Sequence, residues 1–201
     1  MTLFPVVLPV AQYPVKLAGK QKVALLSRVS RQALRLSADR SGVTLGDLSK
    51  DEDDVPLPSG NHYWSVSHKP RYAAAVVSSN RIGIDIEEVK PRTESIFGYV
   101  ASDEEWRLCT EKSWDIFFRY WTAKEAVLKA VGIGLAGLKV CKVVSIPDEA
   151  QILLDYQDHL YRVAHLRSKG HIVSITKDDN DVEWLTPEVL RSSGHSIPPT
   201  I

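Results

Sequence analysis

Trp121-Thr122-Ala123-Lys124-Glu125-Ala126-Val127-Leu128-Lys129 is the stretch on which the reading of this chain turns, and Gly83-Ile84-Asp85-Ile86-Glu87 upstream completes it. The residues around the first segment predict a helix from about Ser113 to Val131, stopped by Gly132, a residue suited to the left-handed position past a helix end. Ile116, Tyr120, Ala123, Val127 and Ala130 recur at alternating steps of four and three, which makes one apolar stripe for a core. Glu125 falls on the opposite side. At about 100° per residue, Trp121, Glu125 and Lys129 line up one turn apart, with Phe117, Trp121 and Leu128 as a second apolar patch beside them. A helix that is apolar around most of its circumference is largely buried, so its few charges are expected to open into a cleft.

The upstream segment has a different period. Ile82, Ile84 and Ile86 alternate with Gly83, Asp85 and Glu87, the pattern of a half-buried strand that puts Asp85 and Glu87 on one face. Their Cα atoms would lie roughly 6.5–7 Å apart, so both carboxylates can reach one cation or its water shell. Together the two segments supply three carboxylates and two lysines, a set suited to Mg²⁺ and a diphosphate. A plainer reading stays open beside it. Glu125 and Lys129 also form a common i,i+4 pair, and Asp85 and Glu87 could be the solvated face of an edge strand.

Working outward, 201 residues at 44% hydrophobic content can bury a sizeable core, in one domain or two small ones. Lys plus Arg and Asp plus Glu balance at 25 each, which argues against a dedicated nucleic-acid surface. Cys109 and Cys141 lie far apart with no metal-ligand spacing, so a reduced, cytoplasmic setting is the expectation. Met1 to Val15 is apolar but broken by Pro5, Pro9 and Pro14 and lacks a basic start. It reads as an extended segment, neither a signal peptide nor a membrane span.

Gly19 to Ser37 shows helical spacing, and Ser41 to Asn61 reads as loop. Ser78-Ser79-Asn80-Arg81 predicts a turn that would set Tyr72 to Val77 antiparallel to the Asp85 strand. Pro91 and the charges around it, Val89 to Glu94, form a candidate boundary, and Ser102 to Glu105 is a capping box opening a short helix to about Thr110. Lys139 to Ile146, Gln151 to Tyr156, His159 to Leu166 and His171 to Thr176 read as strands. The expected division is an N-terminal subdomain, 1–93, a C-terminal subdomain, 94–191, and a mobile tail, 192–201.

Gly-Ile-Asp-Ile-Glu, a gap of a little over thirty residues, then Trp-Thr-Ala-Lys-Glu-Ala-Val-Leu-Lys followed by Gly132-Ile133-Gly134-Leu135, resembles the signature of the 4′-phosphopantetheinyl transferases. Trp64-Ser65-Val66-Ser67-His68 is similar to the Ser-His segment of the longer, pseudo-dimeric members, which activate nonribosomal peptide, polyketide and fatty-acid synthases. The three elements span about a third of the chain. The resemblance implies an α+β fold of two similar subdomains, each a small antiparallel sheet with a packed helix, related by a pseudo-twofold axis, with coenzyme A in the cleft between them. It places the Asp85 strand in the first half and the Glu125 helix in the second. It also implies transfer of the phosphopantetheine arm of coenzyme A to a serine of an acyl or peptidyl carrier protein, releasing adenosine 3′,5′-diphosphate, by a monomer that needs neither membrane nor nucleic acid.

Carried over residue by residue, the resemblance implies that Asp85, Glu87 and Glu125 hold Mg²⁺, with Glu125, or a metal-bound water it orients, as base. Lys129 matches the lysine that protonates or stabilises the departing adenosine diphosphate. Lys124 matches a position that contacts coenzyme A phosphates, Ser67 and His68 the pair that binds its 3′-phosphate, and Arg31 a further phosphate-binding position. The chain departs from the pattern where a short Gly-Lys/Arg-Pro turn is usual: Asp54-Val55-Pro56-Leu57-Pro58 has no basic residue, so Lys69, Arg71 or Arg31 would have to substitute. The gap between the Asp85 and Trp121 segments is also on the short side, which trims the loop expected to meet the carrier. Two other classes share these residues: another Mg²⁺-dependent phosphoester hydrolase or nuclease, and a catalytically silent binding protein.

Overall fold

Ser113 opens and Gly132 closes the predicted helix. In the computed structural model, which describes residues 1–11, 19–194 and 197, this helix runs Trp114–Val131. The Ser113 hydroxyl accepts the Ile116 N–H, and Gly132 has φ 86°, a left-handed turn that glycine adopts without steric cost.

By their internal contacts the residues form two units, Met1–Asn80 with Asp181–Ile201, and Arg81–Asn180. The first contains β1 (Thr2–Leu3), β2 (Val6–Pro9), α1 (Gly19–Ser41), β3 (Tyr63–His68) and β4 (Tyr72–Ser78). The second contains β5 (Ile84–Glu88), α2 (Phe97–Val100), α3 (Asp103–Trp106), α4 (Trp114–Val131), β6 (Lys142–Ser145), β7 (Gln151–Tyr156), β8 (His159–Ser168) and β9 (His171–Thr176). β10 (Asp181–Val182) and α5 (Pro187–Ser192) return the chain to the first.

In the first unit an antiparallel sheet ordered β2-β4-β3 carries α1. Leu26, Val29, Ala33 and Leu34 of α1 pack in one cluster with Val6, Leu8, Ala73 and Ala75. The two alanines keep the helix close to the sheet, close enough for the Val77 N–H to donate to the Ser37 hydroxyl at 3.1 Å. α1 runs one turn beyond the expected Ser37 and stops before Gly42, whose φ is 67°. β1 pairs parallel with β10, and the Leu185 N–H donates to the Pro5 carbonyl at 2.9 Å. Residues 181–190 therefore belong to this unit and not to the second, where the expected division put them.

The second unit is a five-stranded antiparallel sheet ordered β5-β9-β8-β7-β6, with α4 across one face. Phe117, Phe118, Tyr120, Ala123, Val127 and Leu128 of α4 share a core with Ile152, Leu154, Val163 and Ile172 of the sheet. The expected hairpin between Tyr72–Val77 and the Asp85 strand is absent. Both edges of β4 are already filled, by β2 and β3, whereas β5 finds a partner for every residue on β9, from Ile84 opposite Ile175 to Glu88 opposite His171. The boundary expected at 93/94 accordingly falls inside the second unit.

Each unit by itself is α+β, a helix on a small antiparallel sheet. Ser192 ends α5, and most of the tail expected from residue 192, like residues 12–15 of the expected N-terminal extended segment, lies outside the described residues. No helix is long and apolar enough to cross a membrane among the described residues.

Candidate active site

β5 presents Asp85 and Glu87 on the face that α4 covers. Asp85 lies opposite Ser174, whose hydroxyl is 2.5 Å from that of Thr122 on α4, and Glu87 lies opposite Ile172 of the α4 core. Both carboxylates are buried, which disposes of a solvated edge. The closeness of β5 and α4 depends on Gly83: a Cβ built there would sit 1.8 Å from the Ala126 carbonyl oxygen and 2.8 Å from the Ala130 nitrogen.

Lys129 bridges the two segments. Its ammonium donates to Asp85 Oδ1 at 2.6 Å and to the Ile84 carbonyl at 3.1 Å, with the side chain still 30% exposed. Glu125 stands one turn earlier, half-buried. Glu87 has a second cation near it, Arg92, at 3.9 Å, whose guanidinium lies 5.3 Å from the centre of the Phe118 ring. Thus Asp85, Glu87, Glu125 and Lys129 all lie on adjacent elements of one unit, and the expectation that Asp85 and Glu125 come from different halves is corrected.

Convergence of three carboxylates on one point is not seen. Among the described residues no group of three or more His, Cys, Asp and Glu side chains could hold a metal ion. Like charges that close repel, and here the β5 carboxylates face Lys129 and Arg92. The chemistry of the donors still fits Mg²⁺, which takes oxygen ligands and commonly needs only one or two carboxylates when phosphates and water supply the rest.

Lys124 departs from its expected role. It is 1% exposed and forms a 2.6 Å ion pair with Glu105, itself 4% exposed, so its ammonium turns into the core and not toward a phosphate. Burial alone would raise the Glu105 pKa. Hydrogen bonds from Lys124 and from the Ser102 and Val143 N–H groups outweigh it and hold the carboxyl below its ordinary range. Burial also pulls Lys124 down, and Glu105 opposes that shift.

Ser67 and His68 end β3, the serine buried and the histidine exposed, and Arg31 lies on the exposed face of α1. All three belong to the first unit. Lys69 and Arg71 flank Pro70 in the turn to β4, where the Lys69 N–H donates to the Tyr72 carbonyl at 2.8 Å.

Several residues were hidden from sequence reasoning. Glu105 was legible only as the closing residue of the capping box, which does form, and Arg92 only as part of an interrupted stretch. Behind Asp85, Thr122, Ser174 and His165 form a buried chain: Thr122 Oγ1 meets Ser174 Oγ at 2.5 Å, and that oxygen meets His165 Nδ1 at 2.8 Å. Burial, then Arg119 and Arg167, push the His165 pKa well below its ordinary value, so the ring is neutral at pH 7. Thr122 lies inside the motif, but nothing in the order of residues announces its partners. Cys141 is buried, its thiol pushed up to about 12 chiefly by burial, which leaves it chemically quiet at pH 7.

Comparison with known proteins converges on the same segment. Residues 81–178 match the family model of the 4′-phosphopantetheinyl transferase superfamily. The chain is 38% identical over 93 residues, 43% of its length and 39% of the relative's, to the 4′-phosphopantetheinyl transferase HetI of Nostoc sp.. It is 28% identical over 124 residues, 60% of its length and 55% of the relative's, to a 4′-phosphopantetheinyl transferase of Bacillus subtilis. With the L-aminoadipate-semialdehyde dehydrogenase-phosphopantetheinyl transferase of Schizosaccharomyces pombe it shares 39% identity over 97 residues, 45% of this chain and 38% of that one. The chain thus spans between 38% and 55% of the length of these relatives. The matched segment, a little under half of the chain, is the unit that contains β5 and α4, and over it the chain is similar to the 4′-phosphopantetheinyl transferase superfamily.

Proposed function

We propose that this protein transfers the 4′-phosphopantetheine arm of coenzyme A to a serine hydroxyl of an acyl or peptidyl carrier protein, with Mg²⁺, releasing adenosine 3′,5′-diphosphate. The observation that carries the reading is the 2.6 Å contact between Lys129 and Asp85, which ties the two motif segments together inside the stretch that matches the family. A cytoplasmic monomer and two similar α+β halves belong to the same reading.

In this mechanism one or two of Asp85, Glu87 and Glu125 would hold Mg²⁺, with the diphosphate of coenzyme A and water supplying the rest of its ligands. Bound there, Mg²⁺ would neutralise charge that grows on the diphosphate oxygens. Glu125, directly or through a water it orients, takes the proton from the carrier serine as its oxygen attacks the β-phosphorus of coenzyme A. Lys129 has a long stem and a side chain still 30% exposed, so it can turn from Asp85 to the leaving phosphate oxygen. Ser67, His68 and Arg31 are assigned to the 3′-phosphate, with Lys69 or Arg71 standing in for the absent basic turn. Lys124 is left out of the coenzyme A contacts because Glu105 occupies it.

The test is to incubate the protein with coenzyme A, Mg²⁺ and apo carrier protein and to weigh the carrier by intact mass spectrometry. A gain of one phosphopantetheine supports the transfer. No gain with several unrelated carriers, alongside release of phosphate or cutting of nucleic acid, would replace it with the phosphoester hydrolase or nuclease reading.

A further inference from the structure

We infer that Lys124 and Glu105 are positioning residues: their buried ion pair fixes the rotation of α4 about its own axis and so aims Glu125 and Lys129 at β5. This rests on the transferase reading above. Glu105 is bound on every side. Its Oε1 accepts the Val143 N–H at 2.9 Å and its Oε2 the Ser102 N–H at 2.8 Å, with Lys142 at 3.8 Å. Its carbonyl accepts the Tyr120 hydroxyl at 3.0 Å, one helical turn before Lys124. One residue, anchored to the start of α3 and to β6, therefore grips α4 at two successive turns.

The other flank of α4 is held independently. Thr122 meets Ser174, Ala126 lies against Gly83, and Lys129 meets Asp85. At about 100° per residue, positions 122 and 124 point roughly 160° apart, so the two grips act on nearly opposite sides of the helix. Turning the helix by one position would pull Lys124 away from Glu105 and strand two charges in the core.

An apolar pair of similar volume is commonly as stable as a buried ion pair or more so, because desolvating two charges costs several kcal/mol. What the charges add here is direction. Glu125 follows Lys124 in the chain and Lys129 lies five residues on, so the orientation of both is set by where Lys124 points.

The experiment compares wild type, Lys124→Met, Glu105→Gln and the double variant, at a temperature where circular dichroism shows each to be folded. Carrier charging is read by mass spectrometry and coenzyme A binding by calorimetry. Either single substitution should lower kcat by about 100-fold, the scale of a 1 Å misplacement, with the coenzyme A Kd within about twofold of wild type. The double variant should be no slower than the singles and should melt above Lys124→Met, whose buried Glu105 carboxylate keeps only the more distant Lys142. If the singles do not fold, the double variant supplies the same comparison of kcat with Kd. Wild-type kcat in the variants overturns the inference. So does a Kd raised about tenfold by Lys124→Met but not by Glu105→Gln, since Lys124 would then touch the ligand. Wild type that charges no carrier removes the transferase reading itself, and the inference with it.

Discussion

Replacing Gly83 by alanine tests the contact that brings β5 and α4 together. The new methyl carbon would stand 1.8 Å from the Ala126 carbonyl oxygen, where contacts under 3.0 Å are essentially never found, so the strand and helix must separate by about 1.2 Å. Neither obstacle is a side-chain tip that can swing aside: one is the Ala126 carbonyl and the other the Ala130 nitrogen. A retreat of that size takes the Lys129–Asp85 contact from 2.6 Å past hydrogen-bonding range and shifts Glu125 with it. Overpacking of this kind costs about 1–3 kcal/mol, which in a chain of this size lowers Tm by roughly 2–12 °C. The effect on chemistry is larger, because a misplacement near 1 Å costs about 100-fold in rate. Calorimetric melting and carrier charging by intact mass read the two effects separately. An alanine variant with wild-type Tm and wild-type turnover would show that β5 and α4 can move apart without consequence, and the account of the site would fall.

Three further outcomes follow from the same geometry. Glu125→Gln should abolish carrier charging while leaving the melting curve close to wild type, and full activity in that variant would remove Glu125 from the base role. Lys129→Ala should lower kcat more than it weakens coenzyme A binding, and a loss confined to binding would make Lys129 a ligand contact only. His165, whose folded pKa lies well below 6.5, takes up its proton more readily when unfolded, so its contribution to stability is complete above pH 6.5 and erodes as the pH falls below it. The slope from this one group is about 1.4 kcal/mol per pH unit, so wild type should lose Tm faster than His165→Gln between pH 6.5 and 5, and parallel curves would count against a neutral buried ring.

Local signals carried a good part of the architecture. α4 was legible because apolar spacing, the Ser113 cap and the Gly132 stop agree, and β7 and β9 follow the expected ranges because alternation and turn residues bound them. Non-local pairing was not legible. Tyr72–Val77 and Ile84–Glu88 look like two arms of a hairpin, and only the competing claims of β2, β3 and β9 send them to different sheets. The candidate site shows the same limit at finer grain. Lys124 and Glu125 are neighbours in a motif, yet one step of the helix buries the lysine against Glu105 and leaves the glutamate half-buried beside the lysine of the next turn. The partner of Lys124 lies nineteen residues upstream in another helix, a relation that periodicity does not encode.

The pairing of β5 with β9 bears on how the chain is made. More than eighty residues separate the two strands, and β5 leaves the ribosome well before its partner exists. At synthesis rates of about 5–20 residues per second, the Asp85 strand waits on the order of ten seconds for the partner of its backbone groups. The first unit waits longer still, since β10 and α5 are its last contributions. Nascent chains therefore carry an open strand edge throughout that interval. The charged pair at Glu87-Glu88, which ends β5, is the kind of feature that discourages other strands from docking there in the interval.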